Sequence, residues 1–159
     1  MVVIAIISLL SSLVIAQLQD ARKKARAVRR IEDLKTMRDA IELYAQSGSY
    51  PVNADGSAFW WDCYPNNTHY NDFIPGMSAY LPTLPHDPSQ GQNCQNGGNA
   101  KFNYSYRSNG IEYKIEVQVP NGTMEYCDFG KNLGFEDPVR PCTSGDPAWA
   151  VYSPGASGW

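Results

Sequence analysis

Residues 1–18, MVVIAIISLLSSLVIAQL, form an apolar run without a single charged side chain. That length is at the short end of a membrane span. From residue 19 the pattern changes without a break. Ala21, Ala25, Val28, Ile31, Leu34, Met37, Ile41 and Tyr44 recur at steps of three or four, the period of one helical face. Asp20–Lys24, Arg29–Asp33, Lys35–Asp39 and Arg38–Glu42 are spaced as i,i+4 ion pairs on the wetter sides. The first glycine is Gly48 and all 11 prolines lie at or beyond Pro51, so nothing breaks a helix earlier. The predicted element is one rod of roughly 47 residues and about 70 Å. It ends at Gly48, suited to a left-handed cap, with Pro51 blocking continuation.

Further on the period shifts to two. Phe102, Tyr104 and Tyr106 alternate with Asn103, Ser105 and Arg107, and Asn109-Gly110 signals a hairpin. Ile111, Tyr113, Ile115, Val117 and Val119 alternate with Glu112, Lys114, Glu116 and Gln118. After Pro120-Asn121-Gly122, Met124 and Tyr126 alternate with Thr123 and Glu125. These spacings predict a three-stranded antiparallel meander over 101–127, apolar on one face, with the stripe from Val28 to Tyr44 as its cover. Residues 52–100 read as a long ordered loop with a short helical turn near Asn71–Leu81. Trp149, Val151 and Tyr152 are expected to dock the tail on the head. The expected fold class is α+β. A long N-terminal helix has a protruding apolar half (1–18) and an amphipathic half (19–47), and the latter packs on a small sheet in a head over 48–159.

Charge sharpens this division. The overall charge of −3 combines a basic first 50 residues with an acidic remainder. Such a stalk and head attract one another between copies. Arg22, Lys23, Lys24, Arg26, Arg29 and Arg30 crowd into nine positions. They read as a solvated helix shoulder, paired with Asp20, Glu32, Asp33 or a neighbour's head, rather than as a nucleic-acid site. Cys63, Cys94, Cys127 and Cys142 all lie in the head, without a CxxC pair. An even number in a loop-rich domain implies two disulfides and an oxidising compartment. Near-neighbour loop closure favours Cys63–Cys94 and Cys127–Cys142 among the three pairings.

Catalytic and metal motifs are missing. His69 and His86, with Cys63, Asp62 or Asp72, have no zinc-ligand spacing. Asn53–Ser57 lacks the rest of a calcium loop. Neither enzymatic activity nor a cofactor is expected. Asn66, Asn103 and Asn121 head N-glycosylation sequons.

The apolar run could be a cleaved signal peptide, a plain anchor, or a helix that leaves the membrane to become the core of an assembly. VVIAIISLLSSLVI at 2–15, ARKKARAVRRIEDLKTMRDAIELYAQSGSYP at 21–51 and the hairpin after them resemble the type IV pilins and type II secretion pseudopilins. Gly48-Ser49-Tyr50-Pro51 is similar to that family's Gly-x-Tyr-Pro step. The resemblance covers the first third well and the sheet loosely. It implies a structural subunit of a cell-surface filament, held in the inner membrane before assembly and polymerised by pilus assembly machinery. Val2, Val3, Ile4, Ile6, Ile7, Leu9, Leu10, Leu13, Val14 and Ile15 would then form the filament core in a helical homo-oligomer. A secretion pseudopilus is the alternative within the family, and a membrane-tethered binding module that never polymerises the alternative outside it. Family members carry an acidic residue just before this run that neutralises a neighbour's terminal amine. The sequence starts within the run, and shortening at that end is the expectation. Ser8, Ser11 and Ser12 are the expected weak points of the stalk, because their hydroxyls can bond carbonyls one turn earlier.

Overall fold

The computed structural model describes residues 2–53, 60–62, 71–89, 103–119 and 124–159. Helix α1 runs from Val2–Ala45, 44 residues without interruption. Ser47 N–H donates to Tyr44 O at 3.0 Å and Gly48 N–H to Ala45 O at 2.9 Å, closing the last turn. Gly48 sits at φ +121°, which a Cβ would disfavour. Tyr50 N–H then donates to Gly110 O at 2.9 Å, and Tyr106 Oη to Pro51 O at 2.7 Å, fastening the exit to the hairpin.

The sheet is antiparallel, in the order β1-β2-β3-β4. β2 (Asn103–Ser108) and β3 (Tyr113–Gln118) form the expected hairpin, in register Ser108↔Tyr113 through Asn103↔Gln118. Asn109 Oδ1 accepts from the Ile111 and Glu112 N–H groups at 2.9 and 2.8 Å. Ile111 thus belongs to the turn, 78% exposed, rather than to the strand. β1 is a two-residue edge, Trp60–Trp61, which the sequence pattern did not single out. A 3-10 turn over Met77–Ala79 lies within the predicted helical segment.

The third full strand corrects the meander. It is β4, Ala148–Tyr152, not 123–126. β4 pairs with β3 from Gln118↔Ala148 to Lys114↔Tyr152. Tyr126 instead adopts φ +57°, which breaks an extended chain, and leads into helix α2 at Cys127–Asn132. Five residues of ladder with Trp149 fully buried outweigh a four-residue segment beside a turn. The docking expected of Trp149, Val151 and Tyr152 is therefore strand pairing. Cys127 and Cys142 form a disulfide across 15 residues. Closure of a loop that size stabilises by about 3 kcal/mol in the chain-entropy account. Cys63 and Cys94 lie outside the described residues.

A second correction concerns the face of β3 expected to be wet. Tyr104, Tyr106, Tyr113, Ile115, Val117 and Trp149 lie on the helix side. On the other side Lys114, Glu116 and Gln118 are buried too, because the tail folds under the sheet. Lys114 Nζ donates to Asp137 Oδ1 at 2.8 Å and to the Trp159 carbonyl at 2.6 Å. Arg140 bonds both Glu116 and Asp137, and Ser105 Oγ donates to Glu116 at 3.0 Å. Two cations thus face two carboxylates, as a buried ionic cluster requires. Burial pushes the Glu116 carboxyl up to about 7, against the pull of Arg140 and Lys114. Burial also works to raise Asp137, but the Lys114 hydrogen bond, the Val139 N–H and the two cations hold it below the ordinary carboxylate value.

Asn103, one of the three sequon asparagines, opens β2 at 4% exposure, paired with Gln118. Asn66 and Asn121 lie outside the described residues.

Two outcomes test this packing. A Cβ at Gly130 would stand 2.2 Å from Trp149 Cε2, with the aromatic body rather than a flexible tip in the way. Gly130→Ala is expected to cost about 1–3 kcal/mol, read as a fall in the thermal unfolding midpoint. For Glu116, the folded head holds its proton more tightly than the unfolded chain does. Its contribution is complete below the ordinary value of 4.5 and lost as pH rises to about 7. Glu116→Gln should flatten the decline in chemical-denaturation stability between those pH values, and an unchanged slope would refute the assignment.

Candidate assembly surface

Helix α1 meets three environments along its length. Every described side chain from Val3 to Ala25 is exposed, and the first buried one is Ala27. Val3 and Ile4 are each 67% exposed, and Ile6, Ile7, Val14 and Ile15 are more than half exposed. The exposed portion from Val3 to Ala25 measures about 35 Å at 1.5 Å per residue. Val2, Leu9, Leu10 and Leu13 lie in the same helix, with their side chains outside the described set. Ser8 Oγ donates to Ile4 O at 2.8 Å, the back-bond expected of it. Among the described residues, no helix is long and apolar enough to cross a membrane.

The second half packs on the sheet through Ile31, Leu34, Met37 and Ile41, all buried as predicted, with Tyr44 half-buried. Each such side chain contributes about 2 kcal/mol by leaving water. Ala27 and Ala40 join them. Ala21, Ala25 and Val28, expected on the same stripe, are instead exposed. The helix presents Ala27, Arg30 and Leu34 to the head, which turns those three away.

The cation cluster divides. Arg30 is fully buried, donating to Asp87 from Nε at 2.7 Å and from Nη2 at 3.1 Å, and to Ser89 Oγ at 3.1 Å. This paired geometry suits a guanidinium better than an ammonium. Asp62 steadies the loop by accepting from the Asp87 and Tyr104 N–H groups at 3.2 and 2.8 Å. Burial raises the Asp62 carboxyl, opposed by His86 and those two N–H groups. Lys23 and Arg26 reach Glu125 at 3.7 and 3.1 Å. Tyr126 Oη donates to Asp20 Oδ1 at 2.5 Å, so residues 125 and 126 clasp the helix where it leaves the head.

Of the predicted i,i+4 pairs, Arg29–Asp33 forms at 3.7 Å. Arg38 takes Asp39 at 2.7 Å instead of Glu42, and Glu42 accepts the Tyr113 and Tyr50 hydroxyls at 2.9 and 3.2 Å. The buried role of Arg30 escaped the sequence reading because five neighbouring cations look identical to it. Its i,i+4 spacing with Leu34 was the available signal.

Among the described residues, no three His, Cys, Asp or Glu converge as a metal site. His86 lies beside Asp62 at 3.7 Å, and His69 is outside the described residues. Asp137 is engaged by Lys114, and Glu136 by Lys131 at 3.5 Å. A hollow of about 140 Å³ lies among Asp72, Ile74, Met77, Leu81 and Leu84.

Removing one member of the Arg30–Asp87 pair strands a buried charge. Arg30→Met or Asp87→Leu alone is expected to destabilise the head by about 3–5 kcal/mol, with the double substitution less harmful than their sum. A denaturant-unfolding double-mutant cycle that proved additive would contradict this. No protein-family model, curated protein or solved structure matches the chain.

Proposed function

We propose that the chain is the structural subunit of an extracellular filament of the type IV pilus kind, assembled by packing of N-terminal helices with heads outward. One observation carries this reading. A continuous helix leaves its head bare on every described side from Val3 to Ala25, with Val3, Ile4, Ile6, Ile7, Val14 and Ile15 all in solvent. A helix apolar all round is stable only where something surrounds it. A lipid phase can hold that surface before assembly, and the same halves of other copies replace lipid afterwards. Exchange of one apolar surrounding for another leaves close packing to favour the assembled form. The resemblance of residues 2–15 and 21–51 to pilins supports the same reading, and a secretion pseudopilus uses the same architecture. The Cys127–Cys142 disulfide accords with an oxidising exterior.

The intact chain, purified in detergent, is expected to form thin filaments visible by negative-stain electron microscopy once detergent is removed. A chain starting at Gln19 should keep the head's unfolding midpoint and stay monomeric by sedimentation. A monodisperse intact chain in detergent-free buffer would defeat the filament reading. If function survives replacement of residues 1–18 by an unrelated anchor, the membrane-tethered module is the better account.

A further inference from the structure

Lys114 is the one buried lysine among the described residues, and its side chain is wholly shielded from water. A buried amine needs a partner to replace its hydration. Position 114 lies on the face of β3 turned away from α1, directly across from Tyr152, whose ring stands 5.9 Å from Nζ. Nζ reaches Asp137 Oδ1 at 2.8 Å, and Glu116 Oε2 lies 4.0 Å away. The side chains of Lys114, Glu116 and Asp137 are all at 0% exposure. Val139 N–H donates to the same Oδ1 at 2.9 Å, and Arg140 Nε donates to the other oxygen, Oδ2, at 3.2 Å. Ser105 Oγ and Arg140 hold Glu116 in place. An amine nucleophile, a carboxyl carbon, a second carboxyl and a cation on the far oxygen thus meet in a dry space.

We propose that Lys114 and Asp137 become joined by an amide bond formed within the folded head, with Glu116 as the proton carrier. The step balances without a co-reactant. Lys114 passes a proton to Asp137 Oδ1, which turns an ammonium and a carboxylate into a neutral amine and a carboxylic acid. The nitrogen lone pair attacks Asp137 Cγ, and the carbonyl electrons move to Oδ2, where Arg140 Nε–H stabilises the oxyanion. Glu116, as a carboxylate, takes a proton from the attacking nitrogen and delivers it to Oδ1. The Cγ–Oδ1 bond breaks, water leaves, and the electrons on Oδ2 re-form the carbonyl. One amide and one water result, and the net charge of the cluster is unchanged. Burial pushes the Glu116 carboxyl up to about 7, so it exchanges a proton readily near neutral pH. Against burial, the Lys114 hydrogen bond, the Val139 N–H and the two cations hold Asp137 below the ordinary carboxylate value, which keeps its acid form scarce and the reaction slow. A single turnover in the life of each chain suffices. Burial also favours the product, because a neutral amide replaces two ions that have lost their water, and Arg140 with Glu116 remains a matched pair. The bond ties β3 to the segment before β4. Beside Cys127–Cys142 it is a second covalent tie on the tail, one that reducing agents leave intact.

The test is the intact mass of the full chain, purified in detergent, held folded at neutral pH, then reduced and denatured. The expected mass is that of the sequence less one water, and a digest should yield a branched peptide carrying both Lys114 and Asp137. Lys114→Arg keeps the positive charge without a primary amine and should restore the full sequence mass. Glu116→Gln should slow the linkage about a hundredfold or more, so that full-mass chain accumulates while a cooperative unfolding transition shows the head folded. Full sequence mass in the wild-type chain after prolonged incubation overturns the bond. A water loss that survives in Lys114→Arg also overturns it, and points to cyclisation at Asp55-Gly56 instead. A Glu116→Gln chain that links as fast as wild type overturns the role of Glu116.

Discussion

A helix of 44 residues is longer than its head can cover. At 1.5 Å per residue it measures about 66 Å, whereas a head of about 110 residues is roughly 30 Å across. Most features of the molecule answer to that mismatch. The half that finds a sheet is amphipathic. The half that does not starts with an uncharged run, and its described side chains from Val3 to Ala25 are exposed. No kink is available to fold the excess back, because Gly and Pro are confined to residue 48 and beyond.

Such a lever places demands on its mounting. Four apolar side chains hold the second half to the sheet, and two polar fastenings sit beside them. Arg30 with Asp87 locks the stalk to the loop after Met77–Ala79 from inside the core. Asp20, Lys23 and Arg26 meet Tyr126 and Glu125 where the stalk emerges. Glu125 and Tyr126 are in turn adjacent to Cys127, which the disulfide ties to the tail. The tail roofs the far face of the sheet through the Lys114, Glu116, Asp137 and Arg140 cluster. Stalk direction, disulfide and buried charges therefore belong to one connected framework.

Apolar packing alone says little about which helix lies beside which. Burial is non-directional, and an all-round apolar half accepts many neighbours. Along the same rod, cations at 22–29 are followed by acids at 32–42.

Much of the fold was legible in the residues themselves. The unbroken rod, its end at Gly48-Ser49-Tyr50-Pro51, the hairpin of β2 and β3 and the Cys127–Cys142 pairing follow from local periodicity, breakers and loop closure. Each depends on residues near one another in sequence. Choices among equivalent distant partners were not legible. Segment 123–126 alternates and segment 148–152 is apolar throughout, and only the folded chain decides that the latter takes the free edge of β3. Six cations share nine positions, and only the approach of Asp87 selects Arg30 for burial. Ala21, Ala25 and Val28 satisfy the same period as Ile31 and Leu34, yet rotation of the helix on the sheet turns them outward. The apolar run announced a surface in need of cover. The tertiary structure decided which side of the stalk the head leaves bare, because periodicity encodes a face but not what lies against it.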